Sequence, residues 1–340
     1  MAARGAPHRH RLDRVSAGDG VPRRPSVVVR VVAGVLAIGA LASGCEPAAS
    51  PAPTRATARQ VATVDSIDVS VVPPDSAMPH DSLGAAMRRG LALLAHTADS
   101  LPGYAESNLR CVSCHLDGGR RPLISLVGSF VRYPRYVDRS GVVVSIEDRI
   151  NSCLTRSLGG RVLPVGSRQM RDMVSYLAFL STGVPVGAHV RGEGTPRIVP
   201  LRGDMGRGTH LYAERCAQCH GATGGGTAVA PALWGSRSFT IAAGMAREER
   251  LASFVRHAMP FDRPGTLSDQ DAFDLAAYVM SHPHPDLPGK ERDWPAGGAP
   301  SDVPYATRAH AAYHSAPVIA RTGDTAAMIV RPPVAVSPAR

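Results

Sequence analysis

Two runs of the form Cys-x-x-Cys-His stand in separate halves of this chain of 340 residues. In such a run the two thiols can form thioethers with the vinyl groups of a haem, and the histidine can bind the iron from one side. A zinc or redox Cys-x-x-Cys site is the alternative, but a second copy of the run favours two covalently bound haem c groups. The residues are Cys111, Cys114 and His115 in the first run and Cys216, Cys219 and His220 in the second.

A six-coordinate haem needs a second ligand on its far side, and the second half of the chain offers a methionine. A predicted closing helix carries Tyr278, and Met259 stands between His220 and that tyrosine, just ahead of the helix. A methionine followed by proline at this place is typical of the thioether ligand of a cytochrome c module. Met259 is therefore the predicted ligand, although Met245 or Met280 could compete and Met259 could only fill core volume.

The first half has a cysteine at the corresponding place. The spacing from His115 to Tyr176 nearly equals that from His220 to Tyr278, and Cys153 precedes Tyr176 much as Met259 precedes Tyr278. Met170 and Met173 are too close to Tyr176 and are better explained as core residues. Cys153 is the predicted ligand of the first iron, where a thiolate would lower the haem potential because anionic sulfur stabilises ferric iron. A free buried thiol or a partner in an intermolecular disulfide is the alternative.

Cationic and hydroxyl side chains surround Cys153. Arg149 and Ser157 stand four residues on either side of it, which is one face of a regular helix. Three further arginines crowd the preceding loop, and pairing with haem propionates or solvent is the simpler explanation for at least two of them. These are Arg132, Arg135 and Arg139. A positive cluster beside a reactive sulfur favours a small oxyanion as ligand.

The elements that must position these residues follow one plan in both halves. Apolar periodicity predicts an all-α protein of two tandem cytochrome c modules with haem-wrapping loops, module 1 at residues 81–185 and module 2 at 203–295, joined by a Gly- and Pro-rich linker at 186–202. Long loops, such as 116–143, are expected after the haem runs. The predicted helices cover about 83–94, 145–158 and 167–180 in module 1, and 206–216, 248–258 and 268–280 in module 2.

The N-terminal segment is typical of an exported protein. Residues 1–44 combine arginines with an apolar run from Val31 to Ala42, which fits a signal peptide and is short for a membrane span. The sequence Leu-Ala-Ser-Gly-Cys ending at Cys45 resembles a bacterial lipobox, so Cys45 is the predicted lipid anchor of a periplasmic lipoprotein; simple cleavage that leaves an idle thiol is the alternative.

Composition bounds the rest of the chain. Residues 45–80 read as a flexible tether and 296–340 as a largely disordered extension, with 296–305 a candidate for packing on the surface. The formal charge of +10 does not indicate nucleic-acid binding, because seven arginines and only two aspartates fall within the signal peptide. The smaller surplus that remains suits small anions better than a polyanion.

Three segments around these residues resemble the dihaem thiosulfate dehydrogenases, and the likeness extends over roughly residues 81–305. The segments are Asn108 to Gly119, Arg132 to Gly141, and Arg149 to Cys153. The resemblance implies that His115 and Cys153 bind the first iron, that His220 and Met259 bind the second, and that Arg139, Arg149 and Ser157 form a thiosulfate site. Some family members carry a lysine beside the distal methionine. Ala258 stands there in this chain, so permanent His/Met ligation is the simpler expectation.

The resemblance also implies an activity, the oxidation of two thiosulfate ions to tetrathionate. Electrons would leave through the Met-ligated haem to a soluble or membrane-attached cytochrome c, and the same site could run as a tetrathionate reductase. Two other functions stay open, a dihaem electron-carrier lipoprotein without chemistry of its own and the haem subunit of a complex that conjugates thiosulfate to a carrier protein. Cys153 and its arginines argue against the carrier, since a shuttle gains nothing from a thiolate beside an anion site.

Overall fold

The computed structural model describes residues 72–308, residue 310 and the backbone of residues 318–319. All of these residues belong to one compact unit. The predicted signal peptide at 1–44, the Cys45 anchor and most of the tether lie outside the described residues. Within the described part, no helix has both the length and the apolar character needed to cross a bilayer.

Helices dominate the structure, and the few strands are short. The helices are α1 (Ser82–Ala95), α2 (Thr97–Ser100), α3 (Cys111–Cys114), α4 (Ile146–Ser152), α5 (Arg168–Leu180), α6 (Met205–Arg215), α7 (Ala217–His220), α8 (Glu248–Ala258) and α9 (Asp269–Met280), with a π-helical turn at Cys153–Ser157. The strands are β1 (Arg135–Val137), β2 (Val142–Val144), β3 (His284–Pro285) and β4 (Val318–Ile319). β1 and β2 pair antiparallel, and β3 and β4 pair parallel.

The two modules repeat one packing contact, in which a glycine brings the first helix against the closing helix. A Cβ atom built on Gly90 of α1 would lie 2.1 Å from the backbone oxygen of Asp172 in α5, and one built on Gly208 of α6 would lie 2.1 Å from that of Asp274 in α9. Only glycine allows backbones to approach so closely. The internal repeat inferred from spacing is therefore also a repeat of helix packing.

Side-chain caps fix where the closing helices begin. Ser167 accepts a hydrogen bond from the Met170 amide at the start of α5, and Ser268 forms a capping box with Asp271 at the start of α9. Met170 is fully buried, in keeping with the core position expected for it. These caps explain why the predicted starts of both helices agree with the structure to within one residue.

Two stretches differ from the sequence-based prediction. The flexible tether was predicted to continue to residue 80, but a short 3₁₀ helix forms at Asp75–Ala77 and Met78 is only 2% exposed, because this stretch packs beside α1 and Asp75 pairs with Arg120. The loop predicted at 116–143 contains β1 and the start of β2. The hairpin was missed because both strands are only three residues long.

The modules are joined close to both haem runs. Asn108 stands three residues before Cys111. Its side-chain oxygen accepts a hydrogen bond from the Ala232 amide (3.0 Å), and its backbone amide donates one to the Arg237 carbonyl (3.1 Å). Leu116 of module 1 also belongs to an apolar cluster that includes residues of α8. The interface therefore fixes the two haem runs relative to one another.

Candidate haem and anion sites

The histidines of both runs are oriented by backbone carbonyls. His115 Nδ1 lies 2.6 Å from the Ile124 oxygen, and His220 Nδ1 lies 2.9 Å from the Pro231 oxygen. When Nδ1 carries the proton and donates it to a carbonyl, Nε2 keeps its lone pair for a metal. Burial lowers the pKa of His220, which also favours the neutral ligand form. Both histidines are therefore prepared to bind haem iron through Nε2.

The paired cysteines lie in surroundings that suit thioether sulfur. Burial raises the pKa of Cys111 to about 11, that of Cys114 to about 12 and that of Cys216 to about 11, so neutral sulfur is favoured at these positions. None of the described cysteines forms a disulfide. Within each run a single helical turn separates the two thiols. The donor set thus fits covalent haem c in both modules.

Cys153 lies against the first haem run. Its sulfur lies beside the His115 side chain and within electrostatic range of Cys111 and Cys114. Arg149 Nη1 donates to Cys153 Sγ at 2.9 Å. Burial by itself raises the pKa of the thiol, but Arg149 and His115 outweigh it and lower the pKa to about 7. The structure therefore places His115, Arg149 and Cys153 close together, as the sequence analysis expected.

The backbone changes its helical form at Cys153. The Leu158 amide donates to the Cys153 carbonyl at 3.0 Å, a π-type bond across five residues. Such widened turns occur frequently at functional sites. The prediction of an unbroken helix over 145–158 was wrong at this point. Arg149 lies on the same face of the helix as Cys153, as predicted, but the π turn removes Ser157 from the position that a regular α-helix would give it. Ser157 ends the π turn, and within the described residues its hydroxyl forms no hydrogen bond.

A cavity of about 330 Å³ borders the helix of Cys153, at the small end of the usual range for ligand sites. Its polar lining consists of Arg139, Arg149, Arg156, Ser140, Asn151, Ser152, Thr155 and one carboxylate, Asp148. Cys153 and Ser157 are not among the lining residues. Among the described residues, no carboxylate lies within ion-pair distance of Arg139 or Arg149, whereas Arg156 is paired with Asp293. Arg139 therefore keeps its positive charge available to an anion, and Arg149 shares its charge with the Cys153 sulfur.

The three loop arginines have different surroundings. Arg132 forms an ion pair with Glu193. Arg135 lies over the Tyr133 ring, with its Cζ 5.3 Å from the ring centroid. Arg139 lies in the turn between β1 and β2 and lines the cavity. Of the three, only Arg139 is placed as the proposed anion site requires.

Arg250 is a further cation that sequence reasoning missed. It stands in the first turn of α8, its Nη1 beside Gly244, and it interacts electrostatically with Arg149 and Arg139. Desolvation and the neighbouring Arg247 lower its pKa, and no carboxylate of the described residues is within ion-pair distance. In the sequence Arg250 looks like any charged residue of a solvated helix face, so no local signal identifies it.

Met259 lies at the module interface. It follows the last residue of α8, its amide bonds the Val255 carbonyl, and its side chain packs against the cluster that contains Leu116 and Phe254. Met245, a competing ligand candidate, packs against the same cluster. Ligation of the second iron by Met259 stays a prediction.

The sequence of the chain matches two families of c-type cytochromes. Residues 104–186 match the SoxA/TsdA cytochrome c domain, and residues 203–279 match the family of cytochrome c oxidase, cbb3-type, subunit III. A thiosulfate dehydrogenase of Psychrobacter arcticus is 42% identical over 240 residues, which are 68% of this chain and 73% of that protein. One of Allochromatium vinosum is 39% identical over 63% of this chain and 84% of its own length. The chain belongs to the thiosulfate dehydrogenase family.

A solved structure agrees with this membership. The thiosulfate dehydrogenase (TsdBA) of Marichromatium purpuratum superposes with a TM-score of 0.61 at 32% identity, over 66% of this chain and 51% of that chain. This chain thus spans about half of the solved one. The predicted fold of two cytochrome c modules and the predicted pair of haem c groups are confirmed. The protein is an oxidoreductase, and its family supports thiosulfate oxidation through c-type haems.

Proposed function

We propose that this protein couples two thiosulfate ions to tetrathionate at Cys153 and passes the electrons through both modules to a small c-type cytochrome. The main support is the contact of the Cys153 sulfur with both Arg149 and His115. A half-buried sulfur between a guanidinium and the histidine of a haem run has no role in a simple electron carrier. It has a clear role where sulfur and an anion must react.

The first requirement of the reaction is to bring two dianions together. Two unit charges ~4 Å apart repel by about 4 kcal/mol near a protein surface, and a pair of dianions repels four times as strongly. Arg139 and Arg149 offset this repulsion because neither is neutralised by a carboxylate among the described residues. Fixed guanidinium groups stabilise such charge without reorganisation during the reaction.

The first step joins Cys153 to one substrate. The thiolate sulfur of Cys153 and the terminal sulfur of thiosulfate form a sulfur–sulfur bond as two electrons are removed, giving a Cys153–S–S–SO₃⁻ adduct. The chemistry that the bound haems supply is one-electron acceptance, so the pair can take up both electrons. Arg149, which lowers the pKa of Cys153, keeps the sulfur in the reactive thiolate form.

The second step releases the product. The terminal sulfur of a second thiosulfate attacks the sulfane sulfur of the adduct, the bond to Cys153 breaks, and tetrathionate leaves. The departing Cys153 thiolate is stabilised by the Arg149 donor at 2.9 Å. No proton is gained or lost over the two steps, and the thiolate is regenerated.

The proposal is tested by removing the sulfur. Cys153→Gly should keep both haems covalently attached, because attachment uses the two other cysteine pairs, but should lose most of the formation of tetrathionate with ferricyanide as acceptor. Near-normal tetrathionate formation by Cys153→Gly would contradict the proposed steps. Tetrathionate formation by the wild-type chain alone distinguishes this enzyme from an electron carrier and from a conjugating subunit that needs a partner.

The ligand assignment is tested with the matched variant Met259→Gly. It should change the visible spectrum and potential of the second haem only, whereas Cys153→Gly should change those of the first. The assignment is wrong if both variants alter the same haem.

A further inference from the structure

The chain that follows module 2 returns to the anion site of module 1. We call residues 293–305 the C-terminal strap. Its residues Asp293, Trp294 and Tyr305 are 4%, 5% and 6% exposed, so the strap is part of the packed structure. It lies beyond residue 279, where the second family match ends.

Trp294 contacts Arg139 in two ways. The Trp294 amide donates to the Arg139 carbonyl at 2.8 Å, and the Arg139 Cζ lies 4.9 Å from the centroid of the indole ring. Next to this contact, Pro295 packs so closely on the β1–β2 turn that a Cβ atom on Gly141 would lie 2.4 Å from Pro295 Cγ. Both the backbone and the guanidinium of Arg139 are therefore held by the strap.

The backbone of Trp294 indicates that this arrangement is held by its surroundings. Its φ angle is 51°, in the left-handed region that a bulky residue adopts only when neighbouring contacts require it. The adjacent Asp293 provides such contacts, because it binds Arg156 through both carboxylate oxygens and accepts a hydrogen bond from the Tyr305 hydroxyl at 2.7 Å.

The strap makes a different kind of contact with each of its two arginine partners, Arg156 and Arg139. Asp293 neutralises Arg156, whereas Arg139 receives the uncharged face of an aromatic ring. Arg139 uses one of its five N–H donors on the Ala242 carbonyl at 3.2 Å. Burial lowers the pKa of Arg139 to about 10, which still leaves it charged at neutral pH. An aromatic face fixes a guanidinium without cancelling its charge, which a carboxylate could not do.

We propose that Trp294 is a positioning residue that holds Arg139 at the rim of the cavity with its charge available to thiosulfate, so that the anion site of module 1 is completed by the C-terminal strap. This rests on the proposed function for the identity of the anion. Trp294 itself contacts Arg139, not the reacting sulfur.

The test compares Trp294→Leu with Trp294→Phe. Loss of the aromatic face should raise the KM for thiosulfate roughly tenfold with little change in kcat, while phenylalanine, which keeps an aromatic face, should restore most of the affinity. Val303→Ala is the control, since Val303 is a fully buried strap residue and its truncation lowers the melting temperature without removing the ring. Val303→Ala should leave KM unchanged.

A double variant asks whether the ring acts through Arg139. In an Arg139→Ala background, Trp294→Leu should cause no further rise in KM, because the group that the ring positions is already absent. An equal rise in both backgrounds would overturn the positioning role. So would a Trp294→Leu protein with unchanged KM and a lowered melting temperature, as expected of a purely structural residue.

Binding without turnover separates this proposal from the reaction. Calorimetric titration of the oxidised Cys153→Gly holoprotein with thiosulfate should show roughly tenfold weaker binding when Trp294→Leu is added. If the wild type forms tetrathionate but Cys153→Gly binds thiosulfate equally well with and without Trp294→Leu, only the positioning role is overturned. Absence of tetrathionate together with the weakened binding overturns the proposed reaction alone. Absence of thiosulfate binding in both proteins overturns both proposals.

Discussion

At the scale of single residues, the positive charges near Arg149 come from both modules. Arg149 is four residues from the sulfur, Arg139 comes from the β1–β2 turn, and Arg250 comes from the first turn of α8. A cation at the start of a helix opposes the helix dipole, so Arg250 is not placed there to stabilise α8. Its position is explained if the charge serves an anion on the module 1 side.

We therefore expect Arg250→Ala to weaken thiosulfate binding. Removal of one positive charge from the surroundings of a dianion should raise KM by roughly three- to tenfold and leave kcat nearly unchanged. Steady-state kinetics with ferricyanide measures both constants. The KM of the wild type should also rise more steeply with ionic strength than that of the variant, because fewer charges remain to be screened.

Arg263→Ala is the matched control for net charge. Arg263 also lies in module 2 and, like Arg250, is exposed, but it pairs with Asp262. Its KM should equal that of the wild type. If Arg263→Ala and Arg250→Ala raise KM equally, the effect is one of overall charge and Arg250 has no local role.

At the scale of elements, sequence patterns predicted the helices well and the contacts between them poorly. Helix α8 has the predicted bounds because its apolar residues recur with the helical period and Pro260 follows soon after its end. The π turn at Cys153 and the strap depend on partners distant in the sequence, such as Thr240 for Arg156 and Trp294 for Arg139. No local pattern reveals them.

The first turn of α8 should make stability depend on pH. Glu248 is buried beside Asp302 and Glu249. Burial is the larger cause, and the two carboxylates the smaller one, that raises the pKa of Glu248 from 4.5 to about 7. The neighbouring Arg247 forms an ion pair with Asp302. The folded chain thus retains a proton that the unfolded chain releases, so this contribution to stability is full below pH 4.5 and is lost as pH rises through about 7.

Glu248→Gln should remove this dependence. Glutamine cannot ionise. The melting temperature of the variant relative to that of the wild type should therefore increase as pH rises from about 5 to above about 7. Thermal unfolding followed by circular dichroism across this range measures the difference. The exposed Glu214→Gln is the control and should run parallel to the wild type. Parallel curves for Glu248→Gln would contradict the predicted titration.

At the scale of the whole molecule, the internal repeat could be read from the sequence but its assembly could not. Two haem runs, two closing tyrosines and two helix plans predicted two modules, and the comparisons confirm two cytochrome c domains. The spacing of residues within each module carries no information about the face that meets the other module. That face is set by Asn108 and by the apolar cluster around Leu116.

Asn108 links the two haem runs through few atoms. Its side-chain oxygen binds the amide of Ala232, which directly follows Pro231, the carbonyl partner of His220. Asn108→Ala removes this bond and leaves the Ala232 amide without its partner, at an expected cost of about 1–3 kcal/mol. The modules should then be held less closely, and electrons should pass between them more slowly.

Stopped-flow spectroscopy after mixing with thiosulfate follows this transfer, provided that the two haems differ in spectrum. In Asn108→Ala the second haem should become reduced several-fold more slowly than in the wild type, while KM for thiosulfate stays unchanged because the arginines are untouched. Thr209→Ala, which removes a side-chain hydrogen bond within α6, is the control and should not alter the rate. An unchanged rate in Asn108→Ala with a lowered melting temperature would show that Asn108 only stabilises the fold and does not set the coupling between the modules.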